Sequence, residues 1–409
     1  MSIKDIKFTW DNPILTKKEP LTWDDLKPIF RPDEFTHWGK VVVNKKTCTQ
    51  CGLCVQNCLA GTLEMDEDNY PRVKLNWDGM PGHPDHPYPC FACWQCLVPC
   101  PTNSLSIESE TWFDGGFWKT LPHRVPLKLP QQPRDAEGNP TDWNETEKLV
   151  MTRRSTREYK DKPVPEYIIN RVLEAGRFSP TGGNYQGLRY IVITDKAFIN
   201  ELSEATCAGY DGMWELYKDD EKVKGMAIGQ YQSDPARAPW GWNLDPRIMR
   251  AGIGVTIKKR IRNIFVNAPC VIVIVGDMRC IGQPQIQAGI AGQNMVMVAH
   301  SLGVKSCWVG FPNLLNGIPP LMEKLCIYPP FQIQNCLSLG YPKFKTDGVV
   351  PRQFWPITWF REGVKGPEIQ TEPLWPEVNK PGMTSALENK LSKRKQPSTK
   401  RKSNRDSKE

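Results

Sequence analysis

Cys48-Thr49-Gln50-Cys51-Gly52-Leu53-Cys54-Val55-Gln56-Asn57-Cys58 and Cys90-Phe91-Ala92-Cys93-Trp94-Gln95-Cys96-Leu97-Val98-Pro99-Cys100 are the stretches around which this 409-residue chain is read. In both runs the cysteines are separated by two, two and three residues. Two-residue gaps let three thiolates converge on one centre from a tight loop, and the longer step carries the chain towards a second centre. This is the spacing of paired 4Fe–4S clusters, in which the fourth cysteine of each run ligates the other cluster. Cys48, Cys51 and Cys54 are then expected to share a cube with Cys100, and Cys90, Cys93 and Cys96 to share one with Cys58. Zinc is the competing chemistry, since Cys-x2-Cys pairs also build tetrahedral zinc sites. A zinc ribbon does not account for the third cysteine of either run. A disulfide framework belongs to small secreted domains. Met1–Trp10, with Lys4, Asp5 and Lys7, has no apolar segment of the kind an export signal needs.

The octet resembles the bacterial two-cluster ferredoxins, with Pro101 after the second run and Leu59 where the first run usually has proline. Val41–Val43 and Arg72–Leu75 read as its strands, inside a ferredoxin-like domain expected over 41–110. His83 and His86 lie among Pro81, Pro84, Pro87 and Pro89, and the prolines explain the stretch as a rigid loop without a metal. Residues 1–40, rich in Trp and Pro, read as an extended arm. Pro122, Pro126, Pro130, Pro133 and Pro140 make 111–146 a linker.

Charge is unevenly spread. Of the net charge of +8, six units come from Glu388–Glu409, where nine Lys or Arg face three Asp or Glu. Residues 362–409 are expected to be a disordered basic tail. No aromatic side chains interleave with its charges, so a nucleic-acid partner is not expected. The most apolar run, Ala268–Gly276, is too short to span a bilayer, and a cytoplasmic protein without a membrane span is expected. Cys207, Cys270, Cys280, Cys307, Cys326 and Cys336 read as structural thiols.

After residue 146 the pattern changes to helices and strands in alternation, which indicates an α+β layer. A helix begins at Glu147, and another follows Pro165 with Ile168, Ile169, Val172 and Leu173 on one face, stopping near Gly176. Tyr190–Ile193, Val271–Val275, Ser306–Val309 and Asn335–Leu339 read as strands. Pro284–Leu302 is apolar nearly all round and reads as a buried helix closed by Gly303. Four ordered blocks carry a further resemblance: Arg153-Arg154-Ser155-Thr156-Arg157, Ser179-Pro180-Thr181-Gly182-Gly183-Asn184-Tyr185-Gln186, Gly303–Gly310, and Leu339-Gly340-Tyr341-Pro342. Over about 147–361 the chain resembles the nitroreductase family, and with the octet it resembles ferredoxin–nitroreductase fusions.

The resemblance implies an FMN-binding homodimer with a nitroreductase-type α+β sandwich. By it, Arg153, Arg154, Ser155 and Arg157 contact the phosphate and ribityl chain, and Arg352 closes on the same phosphate. Arginine suits that task, because its planar, permanently charged donors grip phosphate in pairs. Pro180, Thr181, Gly182, Asn184 and Gln186 match the loop beneath the flavin ring, and Trp308, Val309 and Gly310 the strand end at its polar side. The family usually has Pro-Trp after the glutamine, where this chain has Gly187-Leu188. By the resemblance, an insertion over 207–250 with Trp214, Tyr217, Tyr231, Trp240 and Trp242 occupies the region where relatives place the substrate-pocket wall. Clusters move single electrons, and a flavin exchanges one or two. The expected function is an FMN- and 4Fe–4S-dependent oxidoreductase fed by ferredoxin, or by NAD(P)H at the flavin, reducing a small organic acceptor. The alternatives are a dehydrogenase discharging into a carrier, and an electron-transfer subunit with no substrate of its own. No catalytic residue is assigned.

Overall fold

In Cys270–Asp277 every side chain is buried, and the C-terminal half is built around this strand. The computed structural model describes residues 21–30, 36–58, 60–74, 90–109, 112–113, 127–233, 252–254, 256–257 and 262–378. Four antiparallel strands form the main sheet: β1 (Leu188–Ile193), β2 (Cys270–Asp277), β3 (Lys305–Val309) and β4 (Phe331–Gly340). Their order across the sheet is β3-β4-β2-β1.

A strand covered on both faces must be apolar at both parities. Val271, Val273 and Val275 of β2 pack with Ile199 and Leu202 of the long helix Lys196–Lys218, and with Ile253, Ile257 and Phe265. Cys270, Ile272 and Ile274 pack on the other side with Val172 of the helix Glu166–Arg177, and with Ala288 and Met295 of the helix Pro284–Ser301. Gly176 permits the close approach of these last two helices, since a Cβ there would collide with Met295. Pro284 opens its helix at the first turn, where a missing N–H costs nothing, and Gly303 at φ 76° closes it.

The cysteine-rich part is a small separate layer. Lys40–Val43 pairs with Leu105–Ser109, and Leu63–Met65 with Pro71–Val73. Leu63, Leu97 and Leu105 form its core with Val41, Val43 and Ile107. The two cysteine runs share a backbone feature. Gln50 and Gly52 in the first, and Ala92 and Trp94 in the second, all have positive φ. Cys58 Sγ accepts from Thr62 N at 3.2 Å, and Cys100 Sγ accepts from Ser104 N at 3.4 Å.

Ordered pairing extends beyond the limits expected from composition. Within the proline-rich stretch, Leu127–Lys128 pairs with Arg352–Gln353. Gln132 N donates to Pro376 O at 2.8 Å, and Leu129 N to Glu377 Oε2 at 2.6 Å. Ile357–Trp359 pairs with Glu368–Gln370, so residues expected in the tail continue the fold to 378. Upstream, Trp23–Phe30 is a helix whose Leu26 and Phe30 pack on Val223 and Ala227 of the helix Asp220–Ser233. Trp214 and Tyr217, expected on a pocket wall, are buried in the core. Residues 1–20, Leu59, the loop with His83 and His86, Trp240 and Trp242, and the tail from 379 lie outside the described residues. Among the described residues no helix is long and apolar enough to cross a membrane.

Candidate functional site

The site begins where the helix Glu145–Thr152 ends. Asn144 and Glu147 cap its start reciprocally, each side chain bonding the other's backbone N–H. Arg153 then turns extended at ψ 130°, and the chain runs beside the edge strand β3. Ser155 bridges Ser306 in parallel, and Thr156 N donates to Ser306 O at 2.9 Å. Thr156 is wholly buried, with its hydroxyl donating to Thr346 Oγ1 at 3.2 Å.

This arrangement gathers arginines at one corner of the sheet. Burial, then Arg352 and Arg153, hold the Arg154 guanidinium down at about 10. Burial, then Arg352, likewise lowers Arg153. The cysteines Cys307 and Cys93 act in the opposite direction on Arg153 and Arg154 respectively. Arg157 Nη1 donates to the carbonyl of Ser155 at 3.4 Å. Like charges withdrawn from water without counterions are unfavourable, so the corner suits a multiply charged anion.

Beside it opens a cavity of about 220 Å³. Arg157, Cys307, Trp308, Val309 and Gly310 line it from the C-terminal half, and Ala60 and Phe91 from the cysteine layer. Gly292 leaves room for the Trp308 indole, which a Cβ there would strike. Tyr210 stacks edge-on to Phe311 at 5.4 Å, at the cavity's rim. Of the residues expected to hold one ligand, Arg157 and Trp308–Gly310 therefore share a wall, with Arg153, Arg154, Ser155 and Arg352 adjoining.

Pro180, Thr181, Gly182, Asn184 and Gln186 are not brought to that wall. Their loop precedes β1, at the opposite edge of the sheet from β3. Three inter-strand steps of ~4.8 Å separate the edges, roughly 14 Å, and Ser306 and Leu188 also pair at opposite ends of their strands. Gly182 lies against the Ile281 carbonyl, so close that a Cβ would clash. Gly183, Asn184 and Gln186 all have positive φ, and Gln186 N donates to Thr181 Oγ1 at 3.0 Å. The loop's residues from Gly182 to Gln186 are exposed.

A buried polar knot supports the arginine corner, and no sequence motif announced it. Lys305 Nζ donates to His300 Nδ1 at 2.6 Å and pairs with Asp347 Oδ1 at 2.7 Å. His300 Nε2 lies 3.2 Å from Thr152 Oγ1, and Gly348 N donates to Thr152 O at 3.1 Å. The knot thus ties the residue before Arg153 to the segment leading to Arg352. The one available signal was Lys305, a charge at the head of an apolar strand. Burial, then Lys305, depresses His300 to about 4. A depressed histidine stabilises the fold fully above its unfolded value near 6.5, and that contribution is lost as pH falls towards 4. His300→Gln is expected to flatten the stability profile between pH 6.5 and 4, by up to roughly 1.4 kcal/mol per pH unit. Urea titrations of both proteins across that range check this, and parallel profiles would exclude it.

Cys58, Cys90, Cys93 and Cys96 line one small cavity. Cys54 lies within electrostatic reach of Cys100 and Cys51. Burial pushes the Cys54 thiol up to about 11 and Cys90 to about 12, and raises Cys93 and Cys96 as well. Such thiols ionise only with a cationic partner at hand. Among the described residues no group of three or more His, Cys, Asp or Glu is drawn together in the manner of a site for a metal ion.

Helices on both faces of an antiparallel sheet, with an arginine corner at its edge, define an α+β domain. Residues 150–341 match the nitroreductase family, and this stretch is a nitroreductase-family domain. A protein of Archaeoglobus fulgidus whose name proposes an NADH dehydrogenase/NAD(P)H nitroreductase is 24% identical over 204 residues, covering 49% of this chain and 87% of the relative. The chloronitrobenzene nitroreductase of Comamonas testosteroni is 23% identical over 205 residues, covering 47% and 85%. Among solved structures, an FMN-bound nitroreductase from Desulfitobacterium hafniense aligns at 23% identity with a TM-score of 0.38, covering 51% of this chain and 95% of its own.

Proposed function

We propose that this chain is an iron–sulfur flavoprotein oxidoreductase, with FMN in the arginine-edged cavity and two 4Fe–4S clusters in the cysteine layer. One observation carries the reading: the half-buried arginines Arg153, Arg154 and Arg157, with Arg352 exposed beside them, gather at a cavity that Ala60 and Phe91 line from the cysteine layer. A phosphate monoester meets the corner's need, because its oxygens accept paired guanidinium N–H groups. When bound, the clusters supply single electrons and the flavin supplies conversion between one- and two-electron chemistry. The chain's own part is to hold the phosphate with Arg153, Arg154, Ser155, Arg157 and Arg352 and to wall the cavity with Trp308, Val309 and Gly310. Electrons come from a low-potential carrier of the ferredoxin kind. NAD(P)H, which appears in a relative's name, is a second donor to be tested. The acceptor is a small organic molecule of nitro, quinone or activated C=C type.

The repeated backbone supports the cluster reading. Positive φ at Ala92 and Trp94 is costly for residues with a Cβ, yet it recurs at the same places in both runs. Alternating backbone hands turn N–H groups inward into nests, a device of Fe–S sites. Cys58 joining Cys90, Cys93 and Cys96 around one cavity agrees with the crossed ligation expected from the spacing. The first set would comprise Cys48, Cys51, Cys54 and Cys100.

The exposed loop 180–186 supports a homodimer. Within one chain the two corners lie diagonally across a sheet roughly 14 Å wide and ~20 Å along its strands, with both faces covered, so one ligand cannot touch both. In a twofold pair the loop of one copy meets the arginine corner of the other.

Anaerobic purification tests the reading. About eight iron, eight acid-labile sulfides and one FMN per chain are expected, from two four-iron clusters, in a dimer by light scattering. Cys54→Ala is expected to lower the iron content while FMN stays bound. Two zinc ions without sulfide would end the iron–sulfur reading, and a monomer saturated with FMN would end the dimer.

A further inference from the structure

The cysteine layer and the arginine corner meet at one side chain. Gln95 lies between Cys93 and Cys96 and is 4% exposed. Asn57 Nδ2 donates to its carbonyl at 3.0 Å and fixes it from behind. The side chain leaves the cysteine loop for the arginine corner, where Oε1 accepts from Arg154 Nε at 3.4 Å. The nitrogen of the same carboxamide is buried and has no hydrogen-bond partner among the described residues. Turning the amide over does not help, since it would set two donors, the NH₂ and the guanidinium N–H, against each other.

A buried N–H without an acceptor is rare and unfavourable. The cationic neighbours Arg153, Arg154, Arg157 and Arg352 are donors too, and arginine accepts nothing. The corner therefore lacks an acceptor with several oxygens, and Gln95 lacks the same thing.

We propose that Gln95 is a ligand of the anion that fills the arginine corner, donating its free amide N–H to a phosphate monoester. This rests on the reading of that anion as the FMN phosphate. The phosphate is then gripped from both parts of the chain, by arginines of the nitroreductase domain and by an amide of the cysteine loop. Flavin binding and docking of the cysteine loop reinforce each other, each raising the other's affinity by the same factor. Riboflavin, the analogue of FMN that lacks the phosphate, is blind to this contact.

The test uses the full chain, freed of flavin under anaerobic conditions with its iron retained. Dissociation constants for FMN and riboflavin are measured by fluorescence quenching, with iron content and the cluster EPR signal followed in parallel. Gln95→Leu is expected to weaken FMN about tenfold, the scale of a lost hydrogen bond to a charged group. Gln95→Glu, of the same shape, is expected to weaken it further, because a carboxylate faces the phosphate. Riboflavin affinity and iron content are expected to be unchanged in both. An unchanged FMN constant overturns the proposal, as does a riboflavin constant that shifts equally. A changed EPR signal with FMN affinity intact overturns it too, assigning the amide to a cluster sulfur. Arg153→Ala, measured alongside, separates the two levels of the argument. If it leaves FMN affinity intact as well, the phosphate is not at this corner and the underlying reading has failed.

Discussion

A chain that starts at Leu127 still binds FMN, about tenfold more weakly without Gln95, but loses turnover with reduced ferredoxin by on the order of 100-fold or more. The size follows from replacing a tethered donor, present at an effective concentration in the mM range, by a dilute carrier that must find the cavity unaided. The starting point matters. Leu127–Lys128 pairs with Arg352–Gln353, so a cut nearer Asn144 would also strip the strand that steadies Arg352. The shortened chain exposes the wall that Ala60 and Phe91 cover in the full protein. Dithionite or NAD(P)H, entering at the flavin directly, is expected to reduce it. Steady-state rates with each donor decide the matter. Equal rates with ferredoxin in both chains would mean that the cysteine layer is structural. No turnover by either chain without an added enzyme would favour an electron-transfer subunit.

Arg153→Ala weakens FMN retention by roughly 10- to 100-fold, since a hydrogen bond to a charged group is worth ~1.5–3 kcal/mol. Arg153 stands at the end of a capped helix, lowered by burial and by Arg352. Removing it takes away a donor to the phosphate, while easing repulsion in the empty corner. The affinity loss is therefore expected with no loss of fold stability. Arg157→Ala is expected to act in the same direction. Arg177, exposed and paired with Glu174 at 2.7 Å through Nε, serves as the control, and Arg177→Ala leaves the flavin alone. Flavin content after extensive dialysis is the measurement, and full retention by Arg153→Ala would displace the phosphate from this corner.

Much of the fold was legible because its elements carry strong local signals. The continuous apolar run of β2, Pro284 before its helix and Gly303 after it mark their elements without tertiary information. Strand order was not legible. The block Ser179–Gln186 reads as one half of a cofactor site, but no local pattern says that β1 lies across the sheet from β3. Trp214 and Tyr217 went to the wrong side for a different reason. Their aromatic character drew attention, whereas Ile199, Leu202, Thr206, Trp214 and Tyr217 recur near helical spacing along one buried stripe. That period was there to be counted. Gln95 and His300 could not be found in this way, since each matters only through residues distant in sequence.

The short ribbon that joins Lys128 to Arg352 also sets a timetable. During synthesis the cysteine runs leave the ribosome long before Arg352 exists. At ~5–20 residues per second the interval is roughly 10–50 s. For that time the nascent chain presents eight thiols without the arginine corner, the cavity wall or a second copy to shield them. On the proposed reading metal delivery would precede flavin capture, and a chain that emerges where iron and sulfide are scarce would finish with its thiols open to oxidation before the flavin has anywhere to bind.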